Sequence, residues 1–248
     1  MKRFVKKLFR KMGYEIERVG RATKPAAQAS LPSSPYIENP EVGPLNLAEK
    51  LERAAKGEPF EWPNIVALNH AVVSLVGDAR RIVELGSGTG CFGYEAAGDA
   101  GRTVLCSELD KETSRWAREN RGRPNLTYID RPVAAEDGPF DLVVAIEVIE
   151  HVADFTGFLR TCQRLAPRAL ITTPNRERGP RFDTAGPPPV AKHVREWSAG
   201  EFYWVLRCHW REVKLYGMPN PYVPEVVPIR VTDSLSPLIA DCRDPYRG

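Results

Sequence analysis

The chain has 248 residues, 42% of them hydrophobic and 27% charged, which suits one folded domain with appendages and excludes a disordered chain. No run approaches the ~18 apolar residues of a membrane span, and no apolar stretch follows the basic start, so a cleaved signal peptide is not expected. The net charge of +3 is unevenly placed: seven basic and two acidic side chains in residues 1–20 leave the remainder at −2, which is not the footprint of a general nucleic-acid binder.

Phe4, Val5, Leu8, Phe9 and Met12 recur at helical spacing among lysines and arginines. Residues 1–20 therefore read as a basic amphipathic helix, centred on 2–12, that contacts a membrane surface or partner or lies on its own domain. Pro25, Pro32, Pro35, Pro40 and Pro44, spaced among Ala and Ser, mark 21–44 as a Pro-rich linker or arm. The domain proper spans 45–248 and begins with two helices, about 46–56 and 64–76. From residue 80 apolar runs at 81–85, 103–107, 125–129, 140–146 and 168–172 predict buried strands. Helices at about 90–98, 111–120 and 154–165 separate most of them. A helix at about 198–207, a strand at about 211–216 and a Pro-rich end follow. Strands alternating with helices imply an α/β, Rossmann-like, doubly wound and mostly parallel sheet. Five cysteines (Cys91, Cys106, Cys162, Cys208 and Cys242) form no C-x-x-C pair. That argues against a zinc ribbon or disulfide scaffold and fits a reducing cytoplasm.

The first strand runs from Arg81 to Leu85 straight into Gly86-Ser87-Gly88-Thr89-Gly90. Glycines there let the backbone turn tightly and approach a ligand. Gly88, Gly90 and Gly93 also satisfy G-x-G-x-x-G, and Glu108 lies where a ribose-binding acid is expected, so this segment alone also admits a nicotinamide enzyme. Glu84 before the loop completes E-x-G-x-G-x-G. A carboxylate there suits an ammonium and a sulfonium, whereas it would repel a pyrophosphate. With Leu105-Cys-Ser-Glu-Leu-Asp110, Tyr128-Ile-Asp130 and Phe140-Asp-Leu-Val143, the pattern resembles class I S-adenosylmethionine-dependent methyltransferases over roughly residues 75–216. The resemblance implies a seven-stranded sheet and S-adenosyl-L-methionine as cofactor. It implies Glu84 at the methionine end against the loop Gly86, Ser87, Gly88 and Gly90, Glu108 on the ribose, Leu109 and Asp130 at the adenine, and Ile146 among the cofactor-binding residues. Asp141 reads as structural.

After the fourth strand comes Glu147-Val-Ile-Glu150-His151-Val. On a helix, Glu147, Glu150 and His151 stand at i, i+3 and i+4 and share one face. The string is similar to that of ubiquinone-type O-methyltransferases. It makes His151 the expected general base, since an imidazole suits proton removal near neutral pH. Two carboxylates and a histidine are also ligands for Mg²⁺ or Mn²⁺, and His193 in Lys192-His-Val-Arg-Glu-Trp197 supplies a fourth. Small-RNA 2′-O-methyltransferases have a comparable E-x-x-E-H with a later histidine and a divalent metal. The loop at about 176–195 follows the fifth strand, where the resembling enzymes place a substrate lid, and its Arg176, Arg178 and Arg181 either meet a phosphate or carboxylate or are solvated.

The leading expectation is an O-methyltransferase for a sugar, glycan or other small hydroxylated molecule, cytoplasmic and contacting a membrane through residues 2–12. The alternatives are a metal-dependent RNA 2′-O-methyltransferase, against which the mildly acidic body counts, a nicotinamide-dependent oxidoreductase, and a non-catalytic relative.

Overall fold

The computed structural model describes residues 47–177, 188, 190 and 192–246. The basic helix, the Pro-rich arm and most of the lid loop lie outside the described residues. In chain order the elements are α1 (Leu47–Ala55), α2 (Pro63–Leu75), β1 (Arg81–Leu85), α3 (Cys91–Ala96), β2 (Thr103–Ser107), α4 (Lys111–Asn120), β3 (Leu126–Ile129) and β4 (Leu142–Ala145). They continue with α5 (Phe155–Leu165), β5 (Arg168–Thr173), α6 (Ala199–Arg207), β6 (Trp210–Gly217), β7 (Val227–Pro228) and β8 (Leu238–Pro245). Short 3₁₀ turns occupy Ala135–Asp137 and Ile149–His151.

One sheet runs in the order β3-β2-β1-β4-β5-β8-β6-β7. The pairs β3–β2, β2–β1, β1–β4 and β4–β5 are parallel, and β8 pairs antiparallel with both β5 and β6. Among the described residues the sheet therefore has eight strands rather than the seven expected. The extra one, β7, pairs with β6 only at Tyr216 and Gly217. Chain order reverses beside β1, which makes the carboxyl ends of β1 and β4 the switch point where such sheets bind ligands.

Each central strand is buried on both faces, so alternate residues feed two cores. Val83, Leu85, Val143, Ala145 and Ile171 pack with Phe158 of α5 and Phe202 of α6. Ile82, Val104, Leu142, Val144 and Leu170 pack with Leu68 of α2, Phe92 of α3 and Ala117 of α4. Polar side chains fix the element ends. Asp110 caps α4 by accepting the Thr113 amide at 2.8 Å, and Ser198 forms a capping box with Glu201 at the start of α6. Arg168 of β5 donates to Asp241 of β8 at 2.8 Å and to the carbonyls of Leu75 and Val76, both at 2.6 Å, tying the end of α2 to the sheet. Among the described residues no helix is long and apolar enough to cross a membrane.

Candidate active site

Two clusters stand at the carboxyl ends of neighbouring strands. The first is the turn after β1. Gly86, Gly88 and Gly90 all have positive φ, and Gly90 begins α3 in the left-handed region at φ 76°. A Cβ at Gly90 would lie 2.5 Å from the Tyr128 hydroxyl, and one at Gly86 would lie 2.8 Å from Val148 Cγ2. At both positions only glycine fits. A Cβ at Gly88 would meet nothing within 4 Å, so the loop is open on that side.

Glu108, at the end of β2, braces this loop. Its Oε2 accepts the Gly88 amide at 2.8 Å and its Oε1 accepts the Asp110 amide at 2.9 Å. Burial raises its pKa from the ordinary carboxylate value, partly offset by those amides. Glu84 lies on the α3 side of β1, 3% exposed, and its Oε2 accepts from Gly93 N and Cys106 Sγ, both at 3.2 Å. Burial pushes its pKa up to about 8. Ser87 is buried, Leu109 and Ile146 are half-buried, and Asp130 is exposed at the end of β3. Asp141 sits instead at the amino end of β4, where its carboxylate accepts the Arg80 and Arg81 amides at 2.9 and 2.8 Å.

An ion network pins the loop from outside. Glu61 accepts from Lys50 at 2.8 Å, from Arg121 at 3.3 Å and from the Thr89 hydroxyl, while Lys50 also reaches Thr89 at 3.2 Å. Phe60 stacks on Trp116 with ring centroids 4.4 Å apart. The segment after α1 is thereby fastened to the glycine turn. Sequence reading missed Lys50, Glu61 and Arg121, because they come from three separate elements and share no motif.

The second cluster follows β4. The i, i+3, i+4 helix face expected for Glu147, Glu150 and His151 does not form: Glu147 takes a left-handed φ of 53° and the turn at Ile149–His151 is 3₁₀. The strand end turns too sharply for an α-helix to start at Glu147. Glu147 instead turns to β5, where its Oε1 accepts the Thr172 hydroxyl at 2.9 Å and its amide donates to the same oxygen at 3.0 Å. Burial pushes its pKa up to about 7. Glu150 is fully buried. One carboxylate oxygen accepts the Thr173 hydroxyl at 3.2 Å, and Oε1 has no hydrogen-bond partner. Burial, with Glu147 nearby, holds its pKa well above the usual carboxylate range.

Glu150, His151 and His193 converge, each offering a ligand atom within 4.8 Å of the others. The two imidazoles stand edge to face at 4.8 Å. His151 Nδ1 lies 3.0 Å from the Lys192 carbonyl, and His193 Nδ1 lies 2.5 Å from Glu196 Oε1. Since each partner accepts, both Nδ1 atoms carry a proton, and in the neutral form of each ring Nε2 keeps the lone pair. Burial lowers the His151 pKa from its ordinary value, with His193 adding to the effect, so the ring is neutral near pH 7. Glu196 was not singled out in the sequence, although its spacing of three from His193 was visible.

A methyltransferase-domain family model matches residues 83–168. The ubiquinone biosynthesis O-methyltransferase of Caulobacter sp. (strain K31) is 36% identical over 101 residues, 38% of this chain and 40% of that protein. The chain thus spans about two fifths of that curated relative. Among solved structures, the methyltransferase domain of bacterial CtHen1 aligns with a TM-score of 0.56 at 14% identity, covering 73% of this chain and 99% of that one. The N-terminal domain of EvdMO1, crystallised in the presence of SAH and D-fucose, aligns with a TM-score of 0.51 at 19% identity, covering 75% and 85%. At these identities the structures establish the fold.

Proposed function

We propose that this chain, a member of the class I S-adenosylmethionine-dependent methyltransferases, methylates a hydroxyl oxygen of a small acceptor, a sugar or another hydroxylated molecule. One observation carries the reading. A glycine turn braced by Glu108 and a convergent Glu150–His151–His193 cluster stand at the carboxyl ends of adjacent strands, β1 and β4. The first is a cofactor cradle and the second a set of groups for ordering and deprotonating an acceptor.

S-Adenosylmethionine supplies an electrophilic methyl group on a sulfonium. Glu84 would face its cationic methionine end, with Gly86, Ser87, Gly88 and Gly90 lining the loop. Glu108 would accept the ribose hydroxyls, giving up or sharing its bond from Gly88. Leu109 and Asp130 would border the adenine, and Ile146, after β4, would line another part of the cofactor site.

The second cluster fits a divalent cation. Glu150 Oε1 is buried without a hydrogen-bond partner, and Glu150, His151 and His193 bring ligand atoms within 4.8 Å of one another. With both Nδ1 atoms engaged, Nε2 is the nitrogen left on each ring. A carboxylate and two imidazoles suit Mn²⁺, with Mg²⁺ the harder alternative. Glu150, His151 and His193 would hold the ion, and Glu147, tied to Thr172, would act as an outer carboxylate. Such an ion lowers the pKa of a bound hydroxyl. His151 has one free lone pair, so ligation and the role of general base exclude each other. The buried, unpaired Glu150 oxygen favours ligation.

Oxygen as the methylated atom draws support from the O-methyltransferase relative, and a sugar acceptor from the D-fucose present with EvdMO1. The five free cysteines support a reducing, cytoplasmic setting. The test is transfer of labelled methyl from S-adenosylmethionine to panels of sugars, phenols and small RNA, after exhaustive chelation and then with Mn²⁺ restored. Metal-stimulated O-methylation of a sugar or phenol is expected. Transfer to RNA alone would replace the acceptor class, and transfer to nitrogen alone would end the O-methyl reading.

A further inference from the structure

We infer that Glu196, which lies outside the ligand set, is a positioning residue that locks the His193 imidazole with Nε2 presented to Glu150 and His151. Glu196 Oε1 stands 2.5 Å from His193 Nδ1, with the two side chains 5% and 10% exposed. A buried carboxylate is costly unless it is paired, and His193 is its hydrogen-bonded partner. The carboxylate accepts, so a proton rests on Nδ1, and in the neutral imidazole the lone pair is on Nε2.

The backbone that carries the pair is itself fixed. The Val194 and Arg195 amides donate to the Glu150 carbonyl at 2.8 and 3.2 Å. Trp197 is fully buried and bridges to Asn175. Residues 192–197 therefore clasp the 3₁₀ turn from above the sheet end. Through Lys192 O they orient His151, and through Glu196 they orient His193. The two supports differ in kind. A carbonyl only directs its ring, whereas a carboxylate directs the ring and also strengthens Nε2 as a donor to a cation.

Two measurements test this. The first is the tautomer of His193 by long-range ¹H–¹⁵N correlation at a pH where the imidazoles are neutral, with His193 assigned by loss of its signals in His193→Asn. The wild type is expected as the Nδ1–H form. Glu196→Ala should shift His193 towards the Nε2–H form, and Glu196→Gln, whose amide oxygen still accepts, should restore Nδ1–H. The second is Mn²⁺ affinity by calorimetry, expected to fall about 10–100-fold in Glu196→Ala, with Glu196→Gln intermediate. Wild-type His193 in the Nε2–H form, or a tautomer unchanged in Glu196→Ala, overturns the inference. The wild-type spectrum decides even where the alanine variant does not fold. The affinity measurement rests on the cation reading and the tautomer does not. A wild type that binds no Mn²⁺ while its tautomers behave as expected sinks the cation and leaves Glu196 in its role.

Discussion

Glu84 links cofactor binding to pH. It is buried at the foot of the glycine turn, and burial pushes its pKa up to about 8. At pH 7 the uncharged acid therefore outweighs the carboxylate by about tenfold. Facing a sulfonium and an ammonium requires the carboxylate, so binding should expel a proton. Each pH unit below the pKa costs about 1.4 kcal/mol of ionisation, so affinity should rise about tenfold per pH unit. The cofactor's own α-amino group titrates near pH ~8, so the informative window is about pH 5.5–7.5. Calorimetry in two buffers of different ionisation enthalpy counts the protons released. The same shift sets a sign for stability. The folded pKa lies above the unfolded value, so the stabilisation from protonated Glu84 is complete at acid pH and is lost as pH rises through about 8. Cofactor-induced stabilisation against heat should accordingly be larger at pH 7.5 than at pH 5.5. Glu84→Gln should flatten the pH dependence. A wild type with pH-independent affinity and no proton release would refute the role given to Glu84.

Three other outcomes follow from the site. Gly90→Ala should cost at least about 1–2 kcal/mol for its left-handed φ, and more for the contact with Tyr128, measured as a drop in the denaturant midpoint. Glu108→Ala removes the acceptor for the Gly88 and Asp110 amides and the ribose acid, and should weaken S-adenosylmethionine binding about 10–100-fold by calorimetry. Exhaustive chelation should abolish methyl transfer while leaving cofactor binding intact, and His151→Ala should do the same. Full activity after chelation would return His151 to the role of base and remove the cation.

The parallel half of the fold was legible because its strands are buried on both faces. Ile82, Val83 and Leu85, or the run Leu142 to Ala145, leave no polar face, and a glycine turn or a capped helix follows β1 and β2. Strand β8 escaped notice because Asp241, Arg243 and Asp244 interrupt its apolar pattern. Arg168 and Arg243 answer the Asp241 charge, and that pairing depends on a β5–β8 neighbourhood that no local spacing reveals. Helical periodicity gathered Glu147, Glu150 and His151 onto one face, whereas the backbone at Glu147 turns into the left-handed region and delivers its carboxyl to Thr172. Glu150, His151 and His193 do converge. What spacing could not tell is that Lys192 and Glu196 occupy both Nδ1 atoms, leaving one nitrogen per ring for chemistry. The fastening of Thr89 by Lys50, Glu61 and Arg121 was invisible for the same reason as β8: its partners meet only in the folded chain.

The glycine turn admits two cofactors by its sequence, and a side-by-side calorimetric titration of S-adenosylmethionine and NAD(H) separates them most directly. Glu108 would serve the ribose of either, whereas Glu84 beside that turn, ionised on meeting a cation, predicts saturable binding of S-adenosylmethionine and none of NAD(H) under the same conditions. Binding of NAD(H) by folded protein that ignores S-adenosylmethionine would contradict the central claim.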